Sequence, residues 1–152
     1  MAIVITGAAR GIGEAVSRRL AESRELLVLV DIDEEELAKV ASDLPCETAV
    51  IVGSVAEENT AQRAAEAACE FGGATGLSHN AGIQRYGSAA ETPPELWDEV
   101  MNVNLRGAYL MARALLPQIA ERGGACVFMA SVQGLATQAN VAAYTTSKHG
   151  LI

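Results

Sequence analysis

The chain has 152 residues, half of them hydrophobic but only 4% aromatic, and a net charge of −8. A chain of this length fits one domain able to bury roughly two thirds of its unfolded surface, and the negative balance argues against broad binding to nucleic acid or to an anionic membrane surface. No apolar run approaches the ~20 residues of a membrane span, and no basic region precedes the N-terminal apolar stretch, so the expectation is a cytoplasmic protein without a membrane partner. Cys46, Cys69 and Cys126 are odd in number and lack metal-ligand spacing, which predicts reduced structural thiols, Cys126 as a small core residue, and no metal site.

Residues 2–5 are a short apolar run that leads into Thr6-Gly7-Ala8-Ala9-Arg10-Gly11-Ile12-Gly13 and then a helical pattern over 14–20. The reading is strand, glycine turn, helix. Without a Cβ, Gly7 can turn tightly, Gly11 can let backbone approach a pyrophosphate, and Gly13 can let the helix lie close on the strand, with the helix's first N–H groups facing the phosphates. A second apolar run, 26–30, ends in Asp31, where a dinucleotide site needs a carboxylate for ribose hydroxyls.

Helical spacing of Leu37, Val40, Ala41 and Leu44 predicts a helix over 33–44, started by acidic residues that complement its dipole and ended by Pro45. A third strand at 48–52 precedes Gly53-Ser54-Val55 and an Ala-rich helix from about 57 to 71; a short, polar fourth strand lies near 76–78. After the turn His79-Asn80-Ala81-Gly82 and a loop over 83–92, Pro93-Pro94 marks a helix start, with Trp97 as a packing residue. The segment 102–119 is apolar around much of a helix's circumference and so needs more than one partner surface. Gly123-Gly124 precedes a fifth strand at 125–130, apolar on both faces as a buried parallel strand should be, which delivers Ser131 at its carboxyl end. A polar loop leads to a helix from near 141, on which Tyr144 and Lys148, four apart, share a face. There is no internal repeat, low-complexity tract or linker.

The spacing Thr-Gly-x-x-x-Gly-x-Gly, followed in order by His79-Asn80-Ala81-Gly82, Asn104, Ser131 and Tyr144-x-x-x-Lys148, resembles the short-chain dehydrogenase/reductase family over the whole chain. The resemblance implies an α/β Rossmann fold, a doubly wound parallel sheet in three layers. It also implies that residues 1–152 are an NAD(P)-binding domain truncated within the Tyr-Lys helix and incomplete at its C-terminal side, since the family continues with a sixth strand, a substrate-binding segment and a seventh strand. The fifth strand would then be an unprotected apolar edge.

The implied activity is NAD-dependent hydride transfer between nicotinamide and a small alcohol or ketone. A free phenol titrates near about 10, too high for a base at neutral pH, and a nearby ammonium lowers it; Tyr144 would thus exchange the alcohol proton. Lys148 would also hold the nicotinamide ribose, Ser131 would hydrogen-bond the substrate oxygen, Asn104 would position a relay water, and Gln133 would face the substrate. The implied cofactor contacts are Gly7, Arg10, Gly11, Ile12, Gly13, Asp31, Ile32, Ser54, Val55, Asn80, Ala81 and Gly82, together with Tyr144 and Lys148.

Three positions depart from the family pattern. Ser54 and Thr75 stand where Asp is usual, the first a weaker acceptor for an adenine amine, and His79 replaces the first Asn of Asn-Asn-Ala-Gly, as a hydrogen-bonded structural residue. Asp31 favours NAD over NADP, with Arg10 as an exposed turn residue. The resemblance further implies a homo-oligomer formed through helices around 102–119 and 141–152. The alternative is a non-catalytic nucleotide-binding or interaction module of the same fold, its raw edge covered by a partner.

Overall fold

A computed structural model describes residues 1–23 and 25–152. Five parallel strands, β1 (Ala2–Thr6), β2 (Leu26–Asp31), β3 (Thr48–Val52), β4 (Ala74–His79) and β5 (Ala125–Phe128), form one sheet in the order β3-β2-β1-β4-β5. The chain therefore winds outward from β1 to β3, returns, and continues from β4 in the other direction. The switch point lies between β1 and β4, which is where open parallel sheets bind ligands, beyond the strands' carboxyl ends.

The three layers follow from the period-two alternation of the central strands. Val4, Val28 and Val30 point to one face and Ile5, Leu27 and Leu29 to the other. The second face is covered by α1 (Gly11–Ala21) and α2 (Glu34–Asp43), whose Leu37 and Val40 complete that core. The first is covered by α3 (Glu58–Glu70), through Ala61, Ala64 and Ala68, and by α5 (Gly107–Glu121), through Leu110, Met111, Leu115 and Ile119. Small alanines on α3 bring it close to the strands, which is how a chain with so few aromatics still fills its interior. Asp33 caps α2 by accepting the Glu36 N–H, and Leu44 is already extended before Pro45.

Four expectations need correction. The helix expected over 102–119 continues α4 (Pro94–Met101) through a π-helical turn at Asn102–Arg106, in which the Gly107 N–H donates to the Asn102 carbonyl five residues back. No proline or glycine lies at 101–106 to break the rod, so Asn104 sits inside it rather than at a helix start. Strand β4 spans Ala74–His79 and is longer than expected, because β1 and β5 both pair with it. Strand β5 ends at Phe128, and it is not buried on both faces: Cys126 and Phe128 pack on the core beneath α5, while Val127, which points to the opposite face, is 59% exposed. Cys69 lies exposed on α3, whereas Cys46 and Cys126 are half-buried against the two cores. Among the described residues, no helix is long and apolar enough to cross a membrane.

Candidate active site

The glycine turn is dictated by how close three backbones come. Gly7 has φ +66°, and a Cβ on it would lie 2.9 Å from the Ala81 nitrogen; one on Gly13 would lie 2.1 Å from the Gly7 carbonyl oxygen. Only hydrogen fits between β1, α1 and the turn after β4. Gly11, φ +59°, has open space where its side chain would be. Helix α1 begins after Arg10, whose side chain makes no capping bond, so the first-turn N–H groups remain available to an anion.

This turn forms the floor of a cleft of about 750 Å³ along the carboxyl edge of the sheet, within the size range of cofactor sites. Gly7, Arg10, Ile12 and Gly13 line it from β1–α1, Asp31 and Ile32 from the end of β2, Ser54 and Val55 after β3, and Asn80, Ala81 and Gly82 after β4. Eleven positions expected around the dinucleotide thus share one cavity; Gly11, Tyr144 and Lys148 lie outside its lining. The Asp31 carboxylate is pinned in place, Oδ2 accepting the Ala9 N–H at 3.0 Å and Oδ1 the Asp33 N–H at 3.1 Å. Arg10 is exposed and paired with Asp33. Ser54 Oγ accepts the Ala56 N–H at 3.2 Å, so its hydroxyl proton is what remains for a ligand.

Sequence reasoning missed part of the lining. Arg85 and Glu99, paired at 2.8 Å, and Asn102 and Val103 reach the cleft from the loop before α4 and from the long helical rod. Glu99 and Asn102–Val103 do share a helix face at i, i+3 and i+4, but nothing local says that this face turns toward the glycine turn.

Of the four expected catalytic residues, Asn104 and Lys148 sit beside the cleft's Gly82 end, and Tyr144 lies a turn from Lys148. The helix α6 (Ala142–Leu151) presents Tyr144 and Lys148 a turn apart, with Lys148 Nζ 5.8 Å from the centre of the Tyr144 ring. Lys148 is buried, its Nζ donates to the Met129 carbonyl at 2.6 Å, and burial lowers its pKa from the ordinary value. A side chain on Gly82 would place its first carbon 3.7 Å from that Nζ and 3.3 Å from Asn104 Oδ1, so the cleft and the Lys148 group adjoin there. Asn104 is fully buried: Oδ1 accepts the Ile83 N–H at 2.8 Å, and Nδ2 donates to the Ile83 carbonyl and to Ser147 Oγ. Its amide ties the cleft wall at Ile83 to α6, and the π-helical turn places it there, as such turns often do at functional sites. Ser131 follows β5, its Oγ accepting the Gln133 N–H at 3.2 Å; Gln133 itself accepts from Gln138 N and the Thr145 hydroxyl and so braces the loop before α6.

His79 departs from the satisfied residue expected. It is 2% exposed and bonds Thr6 Oγ1 through Nδ1, yet Nε2 has no hydrogen-bond partner among the described residues. Burial first, and then the Lys148 charge, push its pKa from 6.5 down to about 4. An unfolded chain would take up the proton already near 6.5, so the stability given by neutral His79 is complete above that value and lost as pH falls toward about 4. The shift corresponds to roughly 3 kcal/mol. Urea unfolding at pH 7 and pH 4.5 checks this: stability should drop between them in the wild type and by clearly less in His79→Asn. Equal drops would assign the acid sensitivity to other groups.

A family description reading "short chain dehydrogenase" matches residues 1–152. The chain belongs to the short-chain dehydrogenase family. It is 32% identical over 152 residues to the meso-2,3-butanediol dehydrogenase of Serratia marcescens, covering 99% of this chain and 61% of that protein. It is 34% identical over 151 residues to an NAD-dependent glycerol dehydrogenase of Listeria innocua, covering 98% and 59%. Among solved structures, carveol dehydrogenase from Mycobacterium avium in complex with NAD superposes with a TM-score of 0.92 at 25% identity, over 99% of this chain and 61% of that one. The chain thus spans about 60% of the length of the short-chain dehydrogenases it matches.

Proposed function

We propose that this chain carries the dinucleotide site and the proton-handling residues of an NAD-dependent oxidoreductase acting on a small alcohol or ketone. The observation that carries the reading is the single cleft running from the glycine turn past Asp31 to Gly82, where Lys148 adjoins it. A dinucleotide fits this site by its chemistry: uncapped helix N–H groups suit a pyrophosphate, and a pinned carboxylate suits ribose hydroxyls. When bound, the nicotinamide supplies hydride transfer.

The chain's own residues do the rest. The first turn of α1 holds phosphate oxygens, and Asp31 accepts from the adenosine ribose. Lys148, already donating to the Met129 carbonyl, has further N–H groups for the second ribose. Tyr144 Oη takes or returns the alcohol proton, Ser131 Oγ donates to the substrate oxygen, and Asn104 Oδ1, which keeps a free lone pair beside Gly82, holds a water within the proton path. NAD is favoured over NADP because Asp31 would repel a 2′-phosphate and because Arg10, which lines the same cleft, is paired with Asp33. Self-association through the helices around 102–119 and 141–152 is part of the proposal; Tyr109, 60% exposed, and Leu116, 47% exposed, present an apolar face on α5 that suits it. A cytoplasmic location completes the reading.

The test is a panel of small secondary alcohols offered with NAD and with NADP to the protein that carries this chain, with formation of reduced nicotinamide as the readout. Turnover with NAD is expected. Binding of NADH without turnover of any alcohol or ketone would put a non-catalytic nucleotide-binding module in its place.

A further inference from the structure

Thr6 ends β1 and His79 ends β4, and the two residues are register partners in adjacent parallel strands. The Thr6 hydroxyl oxygen accepts the Asn80 N–H at 3.1 Å and the Ala81 N–H at 3.2 Å. Backbone N–H groups can only donate, so these two bonds use both lone pairs of the oxygen. The third contact, His79 Nδ1 at 3.0 Å, must then be the hydroxyl donating its own proton. His79 Nδ1 is an unprotonated acceptor, and the ring proton sits on Nε2.

We infer that His79 is a positioning residue of the cofactor cleft: by accepting the Thr6 proton at Nδ1 it turns the Thr6 lone pairs onto the Asn80 and Ala81 amides and so fixes the turn that lines the cleft floor. The inference rests on the dinucleotide reading of that cleft. The turn has little tolerance, because Gly7 approaches the Ala81 nitrogen so closely that no side chain fits between them. A ring proton at Nδ1 would oppose the Thr6 hydroxyl and force it to release one amide.

The surroundings agree with this assignment. Lys148 is the charged group that acts on His79, and it disfavours a second cation there. On the strand side the ring meets Phe128 of β5, with centroids 6.0 Å apart and no acceptor to offer. The Nε2 N–H is left without a partner among the described residues. A buried donor left unpaired is tolerated where the rest of the ring has a task.

Three measurements, on the wild-type protein and four variants, test the assignment. Nitrogen-15 NMR should find His79 in the Nε2–H form at neutral pH. Hydrogen exchange of the Asn80 and Ala81 amides should be slow in the wild type and roughly tenfold faster in His79→Leu, as loss of one oriented hydrogen bond implies. NADH affinity should fall by about the same factor in His79→Leu, fall at least as far in Thr6→Val, which takes the acceptor from both amides, fall no further in the double variant than in Thr6→Val, and recover in His79→Asn, whose carboxamide oxygen can accept the same proton. An Nδ1–H tautomer would overturn the inference, as would unchanged exchange in a folded His79→Leu or additive losses in the double variant. If the tautomer and the exchange rates come out as stated while the wild type binds no NADH, the positioning of the turn stands and the dinucleotide reading fails.

Discussion

Replacing Tyr144 by Phe is expected to lower kcat by roughly 10²–10⁴-fold while NADH affinity stays within about twofold of wild type. The substitution removes one hydroxyl and leaves the ring, which is half-buried on α6, a turn before Lys148. The Asn104–Ser147 bond that anchors the helix also remains. The loss should therefore appear in kcat rather than in folding or in cofactor binding. Steady-state kinetics together with a titration of NADH separate the two. Turnover within twofold of wild type would remove Tyr144 from the proton path and leave Ser131 or Lys148 as the group to test next.

Gly13→Ala carries the largest expected structural effect. Its new carbon would lie 2.1 Å from the Gly7 carbonyl oxygen and 3.0 Å from that of Thr6, both backbone atoms of the turn. Neither can yield without moving α1 off β1, so we expect at least about 3 kcal/mol of lost stability, at the upper end for overpacking, and no measurable NADH binding. Gly11→Ala is the control. Nothing lies near its Cβ, so it meets only the penalty of φ +59°, on the order of 1 kcal/mol. Urea unfolding of the two variants ranks them; equal losses would mean that backbone conformation, and not the closeness of α1 to β1, sets the need for glycine.

These contrasts mark what a sequence can say about such a site. Gly7, Gly11 and Gly13 were legible because absent side chains leave a fixed spacing, and Asp31 because an apolar run stops there. Strand and helix types followed from periodicity, which local burial enforces. The π-helical turn under Asn104 was not legible, since the shift of phase it brings leaves no mark on a segment that is apolar around much of its circumference. Arg85 and Glu99 reach the cleft only through tertiary packing, and Thr6, His79 and the two amides meet across 73 to 75 residues of chain. The exposed face of Val127 was anticipated only through what the family places beyond β5.

The most direct measurement is a calorimetric titration of the chain with NADH, with NADPH run beside it. The account predicts micromolar binding of NADH and NADPH weaker by at least roughly tenfold, because the extra phosphate would meet the Asp31 carboxylate while Arg10 is held by Asp33. A folded chain that bound neither, or that preferred NADPH, would contradict it.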